Sequence, residues 1–151
     1  MNDRYTIVTL SELLTVTRNG EHGFSSCAQH ARSDELKRLF ASRARRHAQA
    51  AAELSELIIQ LGGDPAALGK IAGAVHRGWV NLKSAVSGRT DLAILEECER
   101  GEDVAKARYG KALEETLPED IRMVVQRQYD GVMRNHDQIR DLRDRYRAKQ
   151  S

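Results

Sequence analysis

Apolar residues along this chain recur at three- and four-residue steps, and no segment sustains the strict alternation of a half-buried strand. The pattern breaks at Ala31-Arg32-Ser33-Asp34, Gly62-Gly63-Asp64-Pro65, Ser87-Gly88-Arg89-Thr90 and Thr116-Leu117-Pro118. Ser33 or Asp34 is suited to cap a helix by accepting a backbone N–H, and Gly62-Gly63 supplies a left-handed stop. Thr90 or Asp91 does the same for the next long segment. Thr116 with Glu119 resembles a capping box around Pro118. The pattern therefore predicts helices at about 9–31, 34–61, 67–86, 91–114 and 118–147.

Loop lengths turn these elements into a topology. The first two long helices, and the last two, are joined by a few residues each, so each pair is expected as an antiparallel hairpin. The stretch between residues 62 and 90 is too long for a turn. Its helix of about 20 residues spans roughly 30 Å at ~1.5 Å per residue, most of a bundle's length. Two hairpins joined by a crossover helix give a ferritin-like four-helix bundle; a five-helix up-and-down array is the alternative. There is no linker, repeat or low-complexity tract, so residues 1–151 read as a single all-α domain.

The seams of these helices are apolar at their ends and polar in the middle. The second helix runs Leu36, Phe40, Arg43, His47, Ala50, Leu54, Leu57, Leu61, and the last runs Ile121, Val125, Gln128, Val132, Asn135, Ile139, Leu142, Tyr146 with His136 alongside. Around a turn near 33, Thr17 and Glu21 lie 16 and 12 positions back, while Arg43 and His47 lie 10 and 14 forward. Around a turn near 117, Glu99 and Glu102 lie 18 and 15 back, while Asn135 and His136 lie 18 and 19 forward. Equal counts mean equal heights, so Glu21, Arg43, His47, Glu99, Glu102, Gln128, Asn135 and His136 are expected in one polar layer.

Buried carboxylates need a cation, hydrogen bonds or a metal. Either Arg43 and the histidines neutralise the acids in an internal network, or Glu21, His47, Glu99, Glu102 and His136 ligate iron, manganese or zinc. Di-iron bundles use Glu-x-x-His on two helices. The residues three before His22, His30, His47, His76 and His136 are Asn19, Cys27, Ala44, Gly73 and Met133, so that motif is absent. Arg43 also places a cation where a metal would sit. The internal network is the expected arrangement, with no cofactor.

Four stretches in order carry a resemblance: Asn19-Gly20-Glu21-His22-Gly23-Phe24, Leu61-Gly62-Gly63-Asp64-Pro65, His76-Arg77-Gly78-Trp79-Val80-Asn81-Leu82-Lys83, and Glu96-Glu97-Cys98-Glu99-Arg100-Gly101-Glu102-Asp103 followed by Tyr109. From about Leu10 to Leu113 the chain resembles a bacterial ferritin-like four-helix-bundle family catalogued as a domain of unknown function, and its C-terminal helix is also similar. The resemblance implies a ferritin-like fold and a bacterial cytosolic origin, and no established activity. Against the rubrerythrin-like pattern, the first-helix glutamate falls at Thr17, the second-helix glutamate near His47 and the histidine near Ala50. These departures argue against iron oxidation and leave Glu102 and His136 as remnants of an ancestral site.

Composition narrows the functional classes. With 24 Lys and Arg against 22 Asp and Glu, the net charge is only +2, short of the basic excess of a dedicated nucleic-acid binder. Arg43, Arg45, Arg46 and His47 form one basic run. Arg140, Arg143, Arg145, Arg147 and Lys149 form another, interleaved with Asp137, Asp141 and Asp144 at ion-pairing spacings. No apolar run is long enough for a membrane helix, and Met1–Leu10 lacks a secretory pattern, so the expected compartment is the cytoplasm.

Cys27 and Cys98 lie on apolar faces as small hydrophobes, and their thiols approach if the first and third long helices are neighbours. On the crossover, Gly69, Gly73 and Gly78 would let the helix approach closely. Trp79 is expected against the outside of the bundle, with His76, Arg77, Trp79 and Lys83 as a candidate partner surface. The combined expectation is a non-enzymatic binding or interaction protein with a degenerate metal site, self-associating as a homodimer. The alternatives are a metal-binding oxidoreductase or storage protein and, more weakly, a stress-related binder of nucleic acid or an acidic partner.

Overall fold

The computed structural model describes residues 3–66, 79–88 and 90–149, and these are helical with no strand among them. Five helices follow one another: α1 (Asp3–His30), α2 (Asp34–Gln60), α3 (Leu82–Ser87), α4 (Asp91–Glu114) and α5 (Glu119–Lys149). The expected bounds of α2, α4 and α5 agree to within a few residues. The first helix starts six residues before its expected position. Thr6 is buried there and Ile7 packs against the core, so tertiary packing carries the helix through β-branched residues that disfavour it locally. Of the crossover helix expected at 67–86, residues 67–78 lie outside the described residues, 79–81 are not α-helical, and α3 begins only at Leu82.

Local chemistry sets the ends. Ser33 caps α2 by accepting the Leu36 N–H, and Thr90 caps α4 by accepting the Ala93 N–H at 3.1 Å. Gly62 adopts φ +89°, a conformation open to glycine at little cost, and lets the Gly63 N–H reach the Ile58 carbonyl at 2.9 Å. Between α4 and α5, the Pro118 carbonyl accepts the Arg122 N–H, and the Arg122 guanidinium covers the Leu113 and Glu115 carbonyls at the end of α4. Asp91 does two things: it opens α4, and its carboxylate accepts the backbone N–H groups of Arg32 and Ser33 at 2.8 and 2.9 Å. The start of α4 is thereby tied to the α1–α2 turn.

Side-chain contacts give the helix directions. Thr17 meets Tyr109 and Cys27 meets Cys98, so α1 and α4 run antiparallel. Phe40 packs near Phe24, and Arg127 and Gln128 reach Glu53 while Arg145 reaches Glu35, so α2 is antiparallel to both α1 and α5. Tyr109–Gln128 and Glu99–Arg143 set α5 antiparallel to α4. Residues 60 and 91 therefore lie at opposite ends of the molecule.

Two apolar clusters fill the interior. One gathers Leu10, Leu13, Leu14, Leu54, Ile58, Ile121 and Val125 towards the α4–α5 turn. The other gathers Phe24, Leu36, Phe40, Leu95 and Ile139 towards the α1–α2 turn. Each fully buried Leu, Ile or Phe contributes roughly 1.5–3 kcal/mol, so these clusters supply the main drive to fold. Polar side chains occupy the middle.

Candidate functional site

The polar middle has two storeys. In the lower one, the Tyr109 hydroxyl donates to Gln128 Oε1 at 2.7 Å and, its only proton so used, accepts from Thr17 Oγ1 at 3.0 Å. Gln128 then donates through Nε2 to Glu53 Oε1 at 2.8 Å, and Glu53 also pairs with Arg127. This chain touches α1, α4, α5 and α2 in turn. Burial raises the Tyr109 hydroxyl well above the ordinary phenol range, keeping it protonated. Burial pushes Glu53 up, but hydrogen bonds from Arg127 and Gln128 outweigh it and leave the carboxyl below its usual value.

The upper storey holds Arg43, His47, Glu102 and Asn135. His47 Nδ1 lies 2.7 Å from the Arg43 carbonyl, which only accepts, so that nitrogen carries a proton. Nε2 faces Glu102 Oε1 at 3.4 Å. The ring packs against Gly20, where a Cβ would come within 2.5 Å of it, and lies 5.2 Å from the Phe24 ring. Burial alone would lower the His47 pKa; the Glu102 hydrogen bond and charge, the Arg43 carbonyl and the more distant Glu21 outweigh it and raise it. The second proton on the ring is thereby favoured.

Arg43 completes this storey by donating from Nε to Asn135 Oδ1 at 2.6 Å and from Nη2 to Gln138. Glu102 is only 1% exposed. Its Oε2, and Asn135 Nδ2, have no hydrogen-bond partner among the described residues. They are the unsatisfied points of the network.

The five candidate ligands do not converge. Glu102 and His47 meet, with Glu21 acting on His47 through its charge. His136 Nε2 pairs instead with Asp103 Oδ1 at 2.6 Å, and Glu99 pairs with Arg143. The hairpin explains the difference. Asp103–His136 and Glu99–Arg143 centre it near residue 120 rather than 117, so Glu99 meets α5 two turns beyond His136. Among the described residues no three His, Cys, Asp or Glu side chains come together as a metal-holding group.

The candidate partner surface also changes. Trp79 is 8% exposed, buried rather than presented. Its indole fills a notch between Gly23 of α1 and Gly101 of α4, where a Cβ would approach it to 2.5 and 2.2 Å respectively. Its ring meets Phe24 edge-on at 5.2 Å. The glycines that admit it belong to the bundle; Gly69, Gly73 and Gly78, expected in that role, lie outside the described residues, as do His76 and Arg77. Lys83 is exposed. Nearby, buried Glu97 accepts the Asn81 N–H at 2.9 Å and pairs with Arg100 at 2.6 Å. Burial raises its pKa, against the opposing pull of both partners.

Sequence spacing missed Glu53, Glu97 and Asp103. Only Glu97 had a signal, as a charged residue directly beside buried Cys98. The basic run of α5 is heavily paired: Arg140 with Asp137 and Asp141, Arg143 with Glu99 and Asp144, Arg145 with Glu35, and Arg147 with Glu96.

The family described as Domain of unknown function (DUF2383) matches residues 5–115, well over half the chain, and the chain belongs to it. A comparison with curated proteins gives no match. No helix among the described residues is long and apolar enough to cross a membrane.

Proposed function

We propose that this DUF2383 member is a ferritin-like bundle whose central layer has become a charge-neutralised hydrogen-bond network, and that it acts as a non-enzymatic binding or interaction protein. The connectivity supports the fold: α2 ends and α4 begins at opposite ends, as a long crossover between two hairpins requires. The observation that carries the functional reading is the pairing of acids. Glu102 faces His47 with Arg43 close by, Glu99 meets Arg143, Glu53 meets Arg127, and Asp103 meets His136.

This donor set does not fit the di-metal centre of ferritin-like enzymes. Such a centre draws several carboxylates and two histidines to one point. Here one glutamate and one histidine meet beside a guanidinium, whose charge opposes a bound cation.

Self-association is the interaction this reading favours, in an expected cytoplasmic setting. Exposed Tyr5 and Val8 border a groove of about 200 Å³ between α1 and α4, lined also by Glu12, Arg108, Lys111 and Glu115. Acids and bases together suit a two-fold contact, in which each patch must complement itself. Tyr5→Glu should shift a dimer to monomer in sedimentation; an unchanged mass would remove that groove from the account.

Metal content by mass spectrometry tests the central reading, on untagged protein before and after reconstitution with iron, manganese or zinc under reducing conditions. Substoichiometric metal, unchanged in Glu102→Ala and His136→Ala, is expected. Near-stoichiometric metal lost in either variant would make the protein a metal-binding oxidoreductase or storage protein instead.

A further inference from the structure

Cys27 and Cys98 are the two cysteines of the chain, and the network above uses neither. Both are fully buried, and Cys98 donates its thiol proton towards Cys27 with the sulfurs 3.6 Å apart. The positions follow from helix periodicity. Gly23 and Cys27 are four apart on α1, and Cys98 and Gly101 are three apart on α4, so each cysteine shares a face with a glycine. The glycines receive the Trp79 indole and the cysteines meet one turn further on, in the cluster with Phe24, Leu36, Phe40, Leu95 and Ile139.

We infer that Cys27 and Cys98 form a buried dithiol centre that hydrogen peroxide, or a comparably small hydroperoxide, oxidises to a disulfide joining α1 to α4. The enclosure selects the oxidant, because a small neutral molecule enters an apolar core where a charged or bulky disulfide does not. Burial, the contact with Cys27 and the charges of Glu102 and Glu97 all push the Cys98 thiol up, so its reactive thiolate is scarce and its oxidation, by peroxide as by any electrophile, is slow.

The chemistry balances in two steps. One thiol attacks a peroxide oxygen and breaks the O–O bond, giving a sulfenic acid and one water. The second thiol attacks that sulfur, forms the S–S bond and releases the sulfenic oxygen as a second water, which takes up the remaining proton. Each sulfur loses one electron, and the peroxide oxygens accept both. Contact between the sulfurs makes the second step intramolecular and favours it over further oxidation. The product carries no charge, so it suits the dry core as well as the dithiol does.

The experiment uses the reduced wild-type protein, exposed to hydrogen peroxide while folded, then unfolded and alkylated for intact-mass analysis. The expected product has lost two hydrogens, takes no alkyl group, yields one peptide linking Cys27 to Cys98, and reverts with dithiothreitol. Emission of the single tryptophan should fall in step, because the new disulfide forms in the apolar cluster that holds the indole. The oxidised thermal midpoint should rise, since the cross-link spans 71 positions of the unfolded chain. In Cys98→Ala, Cys27 should gain oxygen with no step in emission. The inference is overturned by two alkylatable thiols surviving a dose that fully oxidises the urea-unfolded chain, by oxygen added to wild type without a link, or by a disulfide between chains.

Discussion

His47 and His136 each face a carboxylate from α4, and the two acids are consecutive, Glu102 and Asp103. A step of one residue turns a side chain by about 100° around a helix. That turn sends Glu102 inward between the helices and Asp103 to the rim beside α5, where its side chain is 61% exposed. The rim pair has the better geometry, 2.6 Å against 3.4 Å. Its imidazole is as buried as that of His47, but water reaches and screens its carboxylate, and a pair with an exposed partner contributes only about 0–1 kcal/mol. The inner pair is longer but desolvated, so losing one partner strands the other in the interior. Burial of the acid, rather than distance, decides which pair the fold depends on.

The sharpest way to break this contrast is to remove the inner acid. Glu102→Ala should cost about 3–5 kcal/mol in denaturant unfolding, because His47 and Arg43 lose the carboxylate that compensates them. A loss no larger than that of a surface substitution would contradict the contrast. Tyr109→Phe comes next, at about 1–3 kcal/mol, since it leaves Gln128 Oε1 without its donor and Thr17 without its acceptor. A smaller effect should follow pH. Because the folded-state pKa of His47 is raised, its stabilisation is complete below the unfolded value of about 6.5 and is lost as pH rises through the folded value. The stability gap between wild type and His47→Gln should therefore narrow from mildly acidic to alkaline pH; a constant gap would mean that the ring does not titrate against Glu102. Asp103→Asn should matter least, within about 1 kcal/mol and less at high salt.

The helices were legible in the sequence because capping residues, glycines and apolar spacing agree at Ser33, Gly62 and Thr90. The seam was legible on the same grounds: spacing placed Arg43, His47, Glu102, Gln128 and Asn135 in the middle of the bundle, and they are there. What spacing could not supply is partner choice. Counting from residue 117 rather than about 120 aligned Glu99 with His136, and the register of the second hairpin gives that place to Asp103. A residue's height does not reveal which way it points, so Asp103 was overlooked beside Glu102. That Trp79 packs against the bundle is legible from its apolar bulk; the glycines that admit it are not, because the spacing points to those of its own segment. The notch that holds it is made by Gly23 and Gly101, distant in sequence and brought together only by the packing of α1 on α4.

The central claim is that the Glu102–His47 layer serves packing rather than metal binding, and unfolding under metal control tests it most directly. A ligand that binds the native state raises the unfolding midpoint by mass action. Chelator-treated protein and protein reconstituted with iron, manganese or zinc should unfold at the same midpoint, with Glu102→Ala lowered equally in each. A midpoint raised by one metal in wild type, and not in Glu102→Ala, would show that Glu102 holds a metal and contradict the account.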